Sequence, residues 1–233
     1  MKQNIVIATT KSWNIEAAKK LKKELSPKYQ LTIITNKQQL TSEKLNKIKP
    51  LYIFFPHWSW IIPKSIWKKH KCIVFHMTDL PFGRGGSPLQ NLLIRGIYKT
   101  KVSALQVEVG LDTGPIYIKR NLLLKTGNAT QMLSRSSKLI FQKMIPYILK
   151  NSPKPISQIG KPTNFFRRKA TESNLLSQKF DNINKIYDFI RMLDGEGYPN
   201  SFITLKNGEK IKFTQAKLKN KKISGIFEIY EKK

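Results

Sequence analysis

Short apolar runs and amphipathic stretches alternate along the first half of the chain. Residues 4–8 form a β-branched apolar run, the pattern of a strand buried on both faces. Residues 13–25 set Ile15, Ala17, Ala18, Leu21 and Leu25 among lysines, an amphipathic helix that Pro27 ends. Residues 31–35 predict a second strand, and residues 51–55, closed by Pro56, a third. A short helix over 63–69 begins at Pro63, and residues 71–76 predict a fourth strand ending at His76. Crossovers of this length indicate a parallel, doubly wound sheet.

A loop rich in Gly and Pro follows, residues 79–88. A helix starts near Ser87, the expected N-cap, with Pro88 at its first position. Residues 102–109 and 116–124 read as strands joined by the sharp turn 110–115. Residues 129–149 read as a long helix bent at Pro146. Residues 151–168, with three prolines and a basic run, are the linker candidate. Beyond it come a helix over 181–193 and strands over 201–205, 210–214 and 223–230, with Asn207-Gly208 as a hairpin turn. The expected division is a catalytic domain over 1–160 and a small β-rich appendage over 161–233. No internal repeat is present.

Composition narrows the function classes. No apolar run reaches the roughly 18 residues of a membrane span. The N-terminus carries no secretory pattern, so a cytoplasmic setting is expected and no membrane partner. The single cysteine, Cys72, lies in an apolar strand, which excludes an intrachain disulfide and a cysteine zinc site. The net charge of +29 attracts anions such as nucleotides, phosphates, polyglutamate tails or RNA. The lysines are spread along the chain, so coding bias explains the same charge. A homodimer is allowed and no metal is required.

In doubly wound sheets, ligands bind beyond the carboxyl ends of the strands. Two loops lie there, one after His76 and one carrying Asp112. A lone histidine is commonly structural, and Asp before Thr-Gly is common turn chemistry. Together they suit amine acylation, in which imidazole donates to an oxyanion and a carboxylate takes the amine proton. Arg84 with Gly83, Gly85 and Gly86 forms a candidate anion cradle beside the helix starting at Ser87. The pattern is neither a dinucleotide fingerprint nor a Walker loop. His57 sits in an aromatic loop and His70 among lysines, without a comparable setting.

Residues 54–124 resemble the catalytic core of the 10-formyltetrahydrofolate-dependent formyltransferases. Leu80-Pro81, Arg84-Gly85 and Pro88-Leu89-Gln90 are similar to the family's signature loop, residues 109–114 to its second signature, and Ile62-Pro63 to its Leu-Pro. The resemblance implies a Rossmann-like α/β fold, a mostly parallel sheet flanked by helices. It implies N10-formyltetrahydrofolate as cosubstrate and His76 and Asp112 as catalytic residues. The family asparagine falls at Val74, which cannot donate a hydrogen bond, so Thr78, loop amides or Asn91 are the candidates to replace it. The resemblance places the folate ring near Phe55, Trp58 and Ile62, with Arg84 and Gly85 also binding the cosubstrate. Ile190–Leu193, Tyr198-Pro199 and Phe202 look like the short tail of sugar N-formyltransferases. The expected acceptor is therefore a nucleotide-linked amino sugar. The alternatives are methionyl-tRNA, or a catalytically degenerate folate- or nucleotide-binding protein.

Overall fold

The computed structural model describes residues 2–230. The first elements are β1 (Gln3–Ala8), α1 (Ser12–Leu25), β2 (Tyr29–Ile34), α2 (Ser42–Ile48), β3 (Tyr52–Phe55), α3 (Lys64–Trp67) and β4 (Cys72–His76). They are followed by β5 (Arg84–Gly85), α4 (Pro88–Ile94), β6 (Lys99–Gln106), β7 (Ile116–Leu123), α5 (Ala129–Leu139), α6 (Ile145–Asn151), β8 (Asn164–Phe165), α7 (Ile183–Leu193), β9 (Ser201–Thr204), β10 (Lys210–Lys219) and β11 (Lys222–Tyr230). The chain divides into two compact units. One comprises Met1–Arg84, Lys101–Leu122 and Ser134–Thr163; the other comprises Gly85–Thr100, Leu123–Leu133 and Asn164–Lys233.

The first unit is organised on a six-stranded sheet of order β2-β1-β3-β4-β6-β7. The pairs β1/β2, β1/β3 and β3/β4 are parallel, so the sheet is mostly parallel, as the crossovers predict. Ile5, Val6, Ile7 and Ala8 of the central strand are wholly buried, which is why its sequence is continuously apolar instead of alternating. The last two strands depart from the parallel expectation. β6 pairs with β4 antiparallel, and Gln106 N donates to Pro115 O to close a β6–β7 hairpin. The intervening α4 has seven residues, but α2 with seven and α3 with four lead into parallel strands, so helix length does not set the direction of β6.

Two local readings also change. The sequence pattern gave no helix between β2 and β3, yet α2 is there. Thr41 Oγ1 caps it by accepting from Lys44 N, and Leu45 is the one buried residue of its seven. Leu45 and Ile48 are its only apolar positions, too few to read as a periodicity. The long helix over 129–149 is interrupted by a π-helical segment, Ile140–Met144, immediately before Pro146. Proline lacks the amide that would continue the ladder, and a wider turn absorbs the break.

In the second unit, β9, β10 and β11 form an antiparallel sheet, and α7 buries Phe189, Ile190, Met192 and Leu193. Each such side chain contributes about 1.5–3 kcal/mol. Arg191 and Asp188 are buried with them: Nε of Arg191 donates to Asp188 Oδ1 at 2.7 Å, and its Nη1 donates to the carbonyls of Leu124 and Gly127. No helix among the described residues is long and apolar enough to cross a membrane.

Candidate active site

His76 ends β4, and its imidazole is held from both sides. Nε2 lies 2.7 Å from the carbonyl oxygen of Gly83, and Nδ1 lies 3.3 Å from Asp112 Oδ2. A carbonyl accepts only, so Nε2 carries a proton. Nδ1 then faces the carboxylate oxygen of Asp112. The pair is mostly enclosed: 8% of the His76 side chain and 12% of that of Asp112 are exposed. The two residues singled out from separate loops are therefore side-chain neighbours, although antiparallel β6 ends beside Ile73, so the Asp112 turn starts from the amino end of β4 and reaches back to His76.

The Asp112 turn is tightly specified. Asp112 adopts φ +55, a left-handed conformation that Asp tolerates at some cost. Thr113 Oγ1 donates to Val109 O at 2.7 Å. A Cβ on Gly114 would collide with the carbonyl of Gln106, so glycine is required by close backbone approach. Thr78 is fully buried, and its hydroxyl donates to Gly83 O at 3.3 Å. Gly83 O thus receives both His76 and Thr78, and Gly83 N donates to Thr163 Oγ1 at 2.7 Å. Ser87 occupies the N-cap position of α4 but at φ +50; its hydroxyl accepts from Arg168 N instead of capping the helix.

The residues expected to hold the cosubstrate are placed differently from one another. Phe55 and Ile62 are buried within an apolar cluster with Val6, Ile34, Ile53 and Cys72, while Trp58 and Val74 are partly buried against it. Trp58 packs on Phe55 with ring centroids 5.8 Å apart. Val74 is thus an apolar packing position. The Arg84 guanidinium is bound to Gln158 Oε1 through Nε at 3.2 Å and Nη2 at 2.8 Å. Gly85 takes φ +105, and a Cβ there would collide with the carbonyl of Phe165. Asn91 donates to the carbonyls of Gly86, Ser87 and Phe166, a structural use of its amide. Burial pushes the Cys72 thiol up to about 12, so it is inert. Among the described residues no group of three or more His, Cys, Asp or Glu is placed to hold a metal.

His57 has a different fate from the aromatic-loop residue the pattern suggested. At φ +50, it accepts from Asn14 Nδ2 through Nδ1 at 2.9 Å. Asn14 in turn accepts from Ser137 Oγ at 2.7 Å and donates to Thr9 Oγ1. Desolvation first, then the charge of Lys11, lowers the His57 pKa from 6.5 to about 4. The unfolded chain therefore binds more protons than the folded one between those values. This contribution is present above pH 6.5 and is lost as pH falls through about 4, up to about 3 kcal/mol in all. Urea melts between those pH values should show that loss, and His57→Gln should flatten it.

Gln158 and Thr163 belong to the site's framework and carry no motif in the sequence. They lie in the segment read as a linker from its prolines.

Residues 4–147 match the sequence model of the formyl transferase family, and residues 170–230 match that of the methionyl-tRNA formyltransferase C-terminal domain. A methionyl-tRNA formyltransferase of Clostridium botulinum is 28% identical over 206 residues, which cover 85% of this chain and 64% of the relative. The chain thus spans about two-thirds of that relative's length. A solved methionyl-tRNA formyltransferase from Clostridium thermocellum is 56% identical, with TM-score 0.95 over 99% of this chain and 100% of that one. A likely sugar N-formyltransferase from Mycobacterium tuberculosis is 17% identical, with TM-score 0.72 over 92% and 97% of the two chains. HypX from Aquifex aeolicus in complex with tetrahydrofolic acid is 16% identical, with TM-score 0.73 over 93% and 38%. These last two share the fold alone. The amino-sugar acceptor expected from the sequence is therefore overturned: the tail matches the methionyl-tRNA formyltransferase C-terminal domain. Of the residues that suggested otherwise, Ile190–Leu193 are buried and serve packing, while Tyr198 and Phe202 are half-buried and Pro199 is exposed. With a family match across most of the residues that build the sheet and both signature loops, the chain belongs to the formyl transferase family.

Proposed function

We propose that this protein transfers the formyl group of 10-formyltetrahydrofolate to the α-amino group of a tRNA-borne methionine. The His76–Asp112 pair, at 3.3 Å, carries the reading. In the proposed step, the acceptor nitrogen forms a bond to the formyl carbon, and the bond from that carbon to the folate nitrogen breaks. Asp112, paired with His76, takes the amine proton, and the pair returns it to the departing folate nitrogen. With Nε2 of His76 on Gly83, and with Val74 apolar, a donor to the oxyanion comes from the loop after β4. Trp58 offers the exposed part of the aromatic surface that would receive the folate ring.

Charge supports a nucleic-acid acceptor. In the second unit, Lys212 lies over the Tyr230 ring, 3.6 Å from its centroid, and Lys217, Lys219 and Lys222 are exposed at the turn end of the β10–β11 hairpin. Exposed cations of this kind suit phosphates. A chain acting on charged tRNA works in the cytoplasm. Binding of methionyl-tRNA should weaken on the order of 10²-fold or more between about 50 and 200 mM salt. Filter-binding titrations measure this. A salt-independent affinity, or tight folate binding with no formylation of any amine, contradicts the proposal.

A further inference from the structure

We infer that Gln158 is a positioning residue that sets the His76–Asp112 geometry from outside both signature loops; the inference rests on the proposed reaction. Its amide nitrogen donates to two carbonyls of the catalytic turn, Asp112 O and Gly114 O, each at 2.8 Å. Its amide oxygen accepts from Nε and Nη2 of Arg84, in the loop after β4. One planar side chain therefore ties the two loops together. Asp112 is the residue held at φ +55, and it has neighbours fixed by other means: Thr113 on Val109 and Gly114 against Gln106. The Asp112 carbonyl has its fixed donor in Gln158.

The other end of the tie is anchored too. Arg84 N donates to Thr163 O at 2.9 Å, Gly83 N donates to Thr163 Oγ1, and Thr163 N donates to Pro81 O. Gly83 O is the group that receives His76 Nε2. A path of hydrogen bonds thus runs from the Asp112 backbone through Gln158, Arg84, Thr163 and Gly83 to the imidazole. Ile156, two residues before Gln158, exchanges both backbone hydrogen bonds with Ile116, which fixes the segment against β7.

Only an amide satisfies both ends. Gln158→Glu keeps the shape and the acceptor for Arg84 but sets a carboxylate oxygen against two carbonyls. Gln158→Ala removes both contacts. Each should lower kcat about 10²-fold, the cost of misplacing a reacting group by about 1 Å. The KM values for formyl donor and acceptor should change less than about twofold. Added to Asp112→Asn, Gln158→Ala should produce no further loss, because it acts through that carboxylate. In the unliganded protein, the imidazole nitrogen resonances of His76 should shift in Gln158→Ala while the thermal transition stays cooperative. This readout needs no turnover, so it stands apart from the proposed reaction. If wild type fails to formylate while the His76 resonances respond, the reaction is wrong and the positioning role holds. Unchanged His76 resonances, unchanged kcat, or losses that multiply with those of Asp112→Asn overturn the inference.

Discussion

Asp112→Asn should lower formyl transfer by a factor on the order of 10²–10⁴, the range general-base groups contribute, while the thermal transition stays within a few degrees of wild type. Asparagine fits the turn, tolerates φ +55 and leaves the carbonyl bonded to Gln158. It removes the negative charge facing His76 Nδ1 and the site that takes the amine proton. His76→Asn should cost as much, and the double variant should be little worse than either single one, since the two residues act as a unit. Single-turnover formylation of methionyl-tRNA, alongside calorimetry of each variant, separates lost chemistry from lost folding. A variant that retains turnover removes the pair from the mechanism.

Asp188→Ala should destabilise the second unit by about 3–5 kcal/mol. It strands Arg191, which is 1% exposed, without the carboxylate that its Nε reaches at 2.7 Å. Tyr98, whose hydroxyl donates to Asp188 Oδ2, loses its acceptor as well. Replacing both residues together, Asp188→Leu with Arg191→Met, should recover most of the loss, because the cost lies in the unpaired charge and not in the absence of a pair. Denaturant melts of the three variants measure this. Equal loss in the single and the double variant would show that Arg191 holds the unit mainly through Leu124 O and Gly127 O.

Much of the sheet was legible because a strand buried on both faces must be apolar throughout, as residues 5–8 and 52–55 are. The end of the sheet was less so. Apolar pattern places β4 and β6 as strands but says nothing of direction, and β6 runs antiparallel to β4. The loops after β4 and β6 stood out because glycine and proline mark positions with unusual backbone geometry, and Gly114 and Gly85 prove to be close approaches. Gln158 could not be seen this way. Its role depends on contacts more than 40 residues distant in the chain, and a glutamine among prolines looks like any solvated linker residue. Asn14 was hidden for a related reason: it sits on the face of α1 with Ala18 and Leu21, where a buried polar side chain breaks the apolar stripe. The acceptor was misread because Ile190–Leu193, part of the tail that suggested a sugar, are buried packing residues of the second unit.

The central claim is that this fold brings a paired imidazole and carboxylate to bear on formyl transfer to a tRNA-borne amine. It is tested most directly by supplying 10-formyltetrahydrofolate with an isotope-labelled formyl carbon, together with methionyl-tRNA, and following the label. The account predicts label on the methionyl nitrogen at a rate that depends on Asp112. Label that stays on folate, or that reaches the amine equally fast with Asp112→Asn, would contradict it.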